Sequence, residues 1–244
     1  MSRAVTLATA RRVIQQLRRD RRTVAMLLVI PPALIGLLKW VFDGEPGAFD
    51  RISVPLVGLF ALILMFLTTS IAMLRERTSG TLERLMTMPL AKIDLLAGYG
   101  LAFAAVAMVQ AGVTCAVAFG ALSIDAAGPV WAVVLLTVAS ALLGTALGLL
   151  FSAFASSEFQ AVQFMPAVIM PQLFLSGLFV ARDRLPELLH TVSGALPFTY
   201  AYDAMATMAV DGAGSDVWRD AGVVAVSILL ALALGATTLR RRTA

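Results

Sequence analysis

The residues whose types and spacing are most informative form one charged segment between two long apolar runs, Arg75–Leu90 (RERTSGTLERLMTMPL). Gly80 can end the preceding helix, Thr81 is a candidate N-cap for a new one, and Pro89 would stop that new helix. The pattern predicts a helix of about two turns over residues 80–90, which is too short to be stable alone. The segment is therefore expected to bind another part of the protein or a partner protein. A solvated, charge-rich hairpin loop is the alternative.

Catalytic and metal chemistry find little support elsewhere in the chain. The only lysines are Lys39 and Lys92, and neither follows a glycine, so no GxxxxGK[ST] phosphate loop is present. One cysteine (Cys115) excludes an internal disulfide, and one histidine (His190) makes a structural zinc site implausible. No Ser/His/Asp set stands out. The sequence predicts no catalytic residue, no metal ligand and no cofactor bound by this chain.

The composition predicts an all-α integral membrane protein. Hydrophobic residues make up 59% of the 244 residues and charged residues only 14%. A membrane-spanning helix needs about 20 mostly apolar residues, and six stretches qualify. We expect a single transmembrane domain over residues 1–244 with spans at 23–41, 53–74, 95–121, 130–154, 159–180 and 218–239.

Loop charge predicts the orientation of these spans. With six spans, 14 of the 19 basic residues fall on one side, in the N-terminal segment, the second-to-third loop and the C-terminal tail. The opposite side is acidic, with Asp43, Glu45 and Asp50 in its first loop. Since positive loops stay in the cytoplasm, both termini are expected to be cytoplasmic, in a multi-pass protein of the inner or plasma membrane.

Two segments outside the spans also have distinctive patterns. Residues 1–22 alternate apolar and basic positions at helical spacing, which predicts an amphipathic helix in the membrane interface that acts either as a lever or as an orientation signal. Residues 181–210 are too apolar for a solvated loop and too interrupted by Pro186, Gly194 and Pro197 for another span. Short re-entrant helices in the outer leaflet satisfy both constraints.

Polar groups inside the spans are few. No Asp, Glu, Lys or Arg lies near the middle of a span, which argues against an ion-coupled secondary transporter. Four polar residues remain, either as helix-to-helix hydrogen-bonding groups or as a substrate path: Gln110, Thr114, Gln163 and Gln172. Gly144 and Gly148 predict close helix packing, within the chain or at a dimer seam.

The charged segment also carries a family resemblance. Glu76…Gly80-Thr81-Leu82-Glu83…Leu85…Pro89 resembles the E-x-x-x-G-T-L-E-x-L-x-x-x-P signature of ABC-2 type transporter permeases, including the daunorubicin-resistance branch. Phe174–Phe179 and Leu196–Tyr200 are similar to the stretch after the family's fifth span. One departure is Tyr99, where the family often has a lysine.

The resemblance implies the membrane subunit of an ABC exporter. The 80–90 helix would be the cytoplasmic coupling helix, contacted by two copies of a separate ATP-binding subunit that brings ATP and magnesium. A second permease copy, or a similar permease, would complete the pathway for an amphiphilic substrate such as a drug, lipid or glycolipid; nucleic acid is not an expected partner. The residues that carry over to ATPase coupling are Glu76, Arg77, Gly80, Thr81, Leu82, Glu83, Arg84, Leu85 and Pro89.

Two other classes of function stay open on the sequence alone. One is a non-transport membrane protein, either an assembly factor or a membrane-embedded enzyme, which would need catalytic residues at a membrane face. The other is a secondary transporter, which would need charged groups within the spans. Association with a soluble P-loop ATPase distinguishes the exporter subunit from both.

Overall fold

The computed structural model describes residues 3–44, 46–81 and 92–238, and over this part of the chain it is built from nine α-helices. A π-helical segment, Ala116–Ala121, continues the fourth of them, and a 3-10 turn, Arg182–Arg184, precedes the seventh. In chain order the helices are α1 (Arg3–Arg19), α2 (Arg21–Val41), α3 (Pro46–Thr78), α4 (Lys92–Cys115), α5 (Val130–Ser152), α6 (Glu158–Leu175), α7 (Glu187–Ala195), α8 (Pro197–Val210) and α9 (Ser215–Thr238).

Five of the described helices are long and apolar enough to cross a membrane. They are Arg21–Val41, Gly47–Thr78, Ala97–Ala121, Val130–Ser152 and Ser215–Thr237. This confirms an all-helical integral membrane protein over the described residues. Helix α6, which occupies the place of the predicted span 159–180, has 18 residues with Pro166 and Pro171 inside it and is not one of the five. The six-span count therefore stays a prediction.

Helices α3 and α5 form the centre of the bundle because glycine lets their backbones approach closely. A Cβ at Gly144 would lie 2.1 Å from the carbonyl oxygen of Leu62, and one at Gly148 would lie 2.6 Å from that of Phe66. Both glycines thus face α3 of the same chain, so their role is packing within the chain. Such small-residue contacts are how helices pack in lipid, where no hydrophobic effect drives them together.

Helix ends meet at two opposite ends of this bundle. At the α1 end, Arg75 near the end of α3 lies within ion-pair distance of Asp20, between α1 and α2, and of Glu158 at the start of α6. At the α8 end, the loop before α5 runs along the last turn of α8. There the amides of Ala127 and Gly128 donate to the carbonyls of Ala209 and Met208 at 3.1 and 3.0 Å.

The predicted outer region, residues 181–210, contains two short helices rather than one long one. Helices α7 and α8 are separated at Leu196, whose φ of −93° and ψ of 122° are extended. Pro197 begins α8 because a proline at the first position gives up no helical hydrogen bond. On α8, Met205 and Met208 are fully buried, against core residues that include Val54 of α3 and Val133 of α5.

Candidate functional site

The α1 helix lies directly against α4. A Cβ at Gly98 would come within 2.5 Å of the Cβ of Thr9, so only glycine allows this approach. Ala10 and Val13, on the same face of α1, are buried in a core that includes Tyr99 and other residues of α3 and α4. The part of the α1 surface around Ala10 and Val13 is therefore covered by the protein itself.

One carboxylate joins α1, α3 and α4. The Nη1 of Arg12 donates to both carboxylate oxygens of Glu76, at 3.1 and 3.3 Å, and its Nη2 donates to the Tyr99 hydroxyl at 2.6 Å. Tyr99 in turn donates to Glu76 Oε2 at 3.0 Å. The Glu76 side chain is only 10% exposed and that of Arg12 30%. We call this set the Arg12–Glu76–Tyr99 triad.

The triad is strong because it is shielded from water and each member has a partner. A carboxylate that accepts bonds from a guanidinium and a hydroxyl makes charge-assisted bonds, about twice as strong as neutral ones. Removing one partner of a buried ion pair leaves the other charge uncompensated and costs about 3–5 kcal/mol. Because Arg12 and Glu76 are 64 residues apart and Arg12 and Tyr99 are 87 apart, the triad fixes α1 to the end of α3 and the start of α4.

A cleft of about 230 Å³ opens beside the triad. Its walls combine apolar side chains of α1 and α4, such as Val13 and Phe103, with the polar ends of Asp20, Arg75 and Glu76. Ser79 and Thr81 complete its rim. The cleft thus lies where α3 leads into the segment that carries the family-like signature.

A second, exposed set of charges lies at the same end. Arg75 donates to Glu158 from Nε at 2.7 Å and from Nη2 at 3.1 Å, and its Nη1 lies 3.7 Å from Asp20 Oδ2. The Arg75 hydrogen bonds lower the pKa of the Glu158 carboxyl. Hydrogen bonds from Thr23 lower the pKa of Asp20, whose carboxylate also caps α2. Since these side chains are a third to a half exposed, their pairing contributes below about 1 kcal/mol.

The predicted coupling residues fall into three groups. Glu76 is buried in the triad, and Arg77 is half-buried, with its Nε atom enclosed and without a hydrogen-bond partner among the described residues. Gly80 has a φ of +70° just after α3 ends at Thr78, and Thr81 makes a 2.9 Å hydroxyl contact with Ser79. The remaining five lie outside the described residues: Leu82, Glu83, Arg84, Leu85 and Pro89.

Sequence reasoning did not identify Arg12 and Tyr99 as site residues. Five arginines precede α2, and composition alone does not show which of them faces inward. The available signal was Tyr99, which stands where the family often has a lysine. Both residue types can donate to a carboxylate, and the structure places the Tyr99 hydroxyl on Glu76.

The four predicted substrate-path residues do not come together as one set. Gln110 and Thr114 are buried one turn apart on α4, joined by a 3.4 Å side-chain hydrogen bond, and Gln110 Oε1 has no hydrogen-bond partner within the part of the chain that the structure describes. Gln172 of α6 is buried, and its Oε1 accepts the Phe198 amide of α8 at 3.3 Å. Gln163 of α6 is exposed. Gln172 therefore holds two helices together, while Gln163 faces away from the described chain.

Comparison of the sequence with known proteins identifies its family. Residues 4–209 match the ABC-2 type transporter family. The chain belongs to that family. Within it, the chain is 28% identical over 180 residues to "ABC transporter G family member 20" of Dictyostelium discoideum, a match that covers 72% of this chain and 25% of that protein.

Two bacterial relatives match two thirds or more of this chain. "Probable multidrug ABC transporter permease YbhR" of Escherichia coli is 27% identical over 165 residues, covering 67% of this chain and 45% of the relative. "Linearmycin resistance permease protein LnrN" of Bacillus subtilis is 23% identical over 202 residues, covering 81% and 52% respectively. The chain thus spans a quarter to about half the length of these relatives.

Proposed function

We propose that this chain is the membrane permease subunit of an ABC exporter and that a separate subunit supplies ATP hydrolysis. The observation that carries the proposal is the Arg12–Glu76–Tyr99 triad. The triad connects α1, α3 and α4, and its Glu76 lies near the end of α3, shortly before residues 80–90 in the sequence. A force applied to that segment would reach all three helices together.

The mechanism that this geometry supports is mechanical. Two copies of the ATP-binding subunit, carrying ATP and magnesium, close on one another and displace the segment at residues 80–90. Helix α3 continues from that segment through the bundle centre, and α1 moves with it because the triad joins it to α3. The spans then rearrange and release an amphiphilic substrate outward. Both termini would be cytoplasmic, with α6 as the sixth membrane-crossing element and α7 and α8 in the outer leaflet.

The exposed face of α6 supports a second permease copy. Phe159, Val162 and Phe174 are exposed there together with Gln163. A glutamine amide left in hydrocarbon lacks hydrogen-bond partners and is costly, so a protein partner that covers this face would relieve the cost. Two such faces would place both Gln163 side chains at a shared seam. Gln110, whose Oε1 accepts no hydrogen bond from the described residues, is the other candidate for substrate contact.

Because Glu76 is bound within the permease itself, we assign different roles to the predicted coupling residues. Glu76 is engaged with Arg12 and Tyr99, so it positions helices rather than docking the ATPase. Direct contact is assigned to Glu83 and Arg84, with Gly80 and Pro89 bounding the contact helix.

Co-purification tests the partner assignment. A tagged permease co-expressed with the P-loop ATPase encoded nearest to it should retain that ATPase, and scrambling residues 82–89 should release it. Glu83→Lys should uncouple ATP hydrolysis from efflux in vesicles without changing membrane insertion. Glu187→Lys, the same charge change at the opposite end, is the matched control. ATPase retention after the scramble, or normal efflux by the Glu83→Lys protein, would refute the assignment.

A further inference from the structure

The side of α1 that faces away from the triad forms a groove with α4. The groove is open to its surroundings and has a volume of about 440 Å³. Its polar side consists of Arg11, Gln15 and Arg18 of α1, and its apolar side includes Leu101 and Ala105 of α4. Consecutive residues of α1 therefore contribute to two different sites, since Arg12 points into the triad while Arg11 lines the groove.

The polar side is spaced to hold one anionic group. Arg11, Gln15 and Arg18 succeed one another at steps of four and three residues, which puts them on one face of the helix. The Cα atoms of the two arginines are about 10 Å apart along the helix axis, so both guanidinium groups can reach a phosphate between them. Both arginines are exposed. Within the described part of the chain neither forms a hydrogen bond or an ion pair, so their charge is not neutralised by the protein.

The apolar side is continuous with a membrane-spanning surface. Leu101 is 45% exposed and lies with Ala105 inside the candidate span Ala97–Ala121. Leu7, at the other end of the groove, is 60% exposed. A ligand that fits both sides has a negatively charged head and a hydrocarbon chain, which excludes free phosphate as the best match.

We propose that this groove is a binding site for an anionic glycerophospholipid. The phosphate lies between Arg11 and Arg18, the Gln15 amide donates to a headgroup oxygen, and one acyl chain runs along Leu101 and Ala105. Arginine suits this task because its planar group donates two parallel bonds to a phosphate. The bound lipid holds the outer side of α1 against α4, as the triad holds the inner side.

Native mass spectrometry of the purified full chain tests the headgroup. The protein is mixed with equal amounts of dioleoyl phosphatidylglycerol and dioleoyl phosphatidylcholine, and the retained lipid is measured. Wild type should prefer the anionic lipid, and Arg11→Gln/Arg18→Gln should lose about fivefold in affinity for each arginine removed. Arg21→Gln/Arg22→Gln removes the same charge outside the groove and should lower retention clearly less, because neither residue lines the groove. Equal retention of both lipids, or an equal loss in the control, would overturn the proposal.

A second measurement tests the acyl chain and separates a lipid from a free anion. In Leu101→Trp protein whose three native tryptophans are replaced by phenylalanine (Trp40→Phe, Trp131→Phe and Trp218→Phe), phosphatidylglycerol with brominated acyl chains should quench the fluorescence of the introduced indole more than brominated phosphatidylcholine does. Adding Arg11→Gln/Arg18→Gln should remove that difference, and millimolar inorganic phosphate should leave it unchanged. Displacement by phosphate would show that the arginines hold only a free anion and would overturn the lipid assignment. So would equal quenching by both lipids.

Discussion

At the α1 end, three helices meet on one buried carboxylate, whereas at the α8 end a loop and a helix meet through backbone hydrogen bonds and buried methionines. The α8 end also has ion pairs: Arg219 pairs with Asp216 and Asp220 within α9, and Arg182 donates to Asp203 at 2.7 Å. That pair joins residues only 21 apart in sequence, so it secures a local segment rather than the whole bundle. The α1 end depends on charge, and the α8 end depends on packing and backbone geometry.

This difference suits the proposed direction of energy flow. A junction held by a few directional charge contacts can make the joined helices move together. Such a junction can also be broken by one substitution that removes a charge. A junction held by many packed atoms tolerates the loss of one contact. The coupling of an ATPase to the spans would therefore be concentrated at the α1 end.

The largest effect is expected from Glu76→Gln. The amide keeps the shape but removes the charge, leaving Arg12 partly buried without its counterion, and stability should fall by about 2–4 kcal/mol. Thermal unfolding of the purified permease measures this loss. Glu158→Gln is the matched control at the same end, and because its side chain is 53% exposed it should cost below about 1 kcal/mol. Equal losses in the two variants would contradict the distinction between the triad and the exposed charges.

The α8 ion pair should respond unequally to removal of its two members. Burial raises the pKa of Asp203, so its charged form is held at a cost that attraction to Arg182 only partly offsets. Asp203→Asn should therefore change stability by less than about 1 kcal/mol, while Arg182→Gln leaves the carboxylate without its partner and should cost about 1–3 kcal/mol. Thermal unfolding of both variants at neutral pH measures the two losses of stability. A larger loss for Asp203→Asn than for Arg182→Gln would contradict this prediction.

Acid should destabilise the two ends of the bundle to different extents. We expect this effect to be smaller than those of the Glu76 and Asp203–Arg182 substitutions. The lowered pKa values of Asp20 and Glu158 mean that their stabilising contribution is present above the unfolded pKa, near 4, and is lost as the pH falls through the folded value. The raised pKa of Asp203 has the opposite sign, because protonation there removes a buried charge. Hydrogen exchange at pH 7 and about pH 3, corrected for intrinsic rates, should show a larger loss of protection at the α1–α2 junction than in α8. A larger loss of protection in α8 would reverse the comparison.

Much of the architecture can be predicted from sequence because local patterns specify it. The apolar runs predict long helices, and loop charge predicts orientation without reference to the fold. Gly144 and Gly148 indicated close packing, but only the structure shows that the partner is α3 of the same chain. The triad could not be predicted, since its members lie 23 to 87 residues apart and their pairing depends on how α1 lies on α4. Gln172 likewise needed the position of α8 to show that it binds the Phe198 amide.

The central claim, that the Arg12–Glu76 contact makes α1 and α3 move together, is tested most directly by exchanging the two charges. ATP-driven efflux by the proposed complex is measured in vesicles for Arg12→Glu, Glu76→Arg and the double variant. Each single variant places two like charges together and should lower efflux by at least about tenfold, with both proteins still inserted in the membrane. The double variant restores an opposite pair, and the Tyr99 hydroxyl can donate or accept in either arrangement, so much of the efflux should return. Normal efflux in the single variants, or a double variant no better than the poorer single one, would contradict the account.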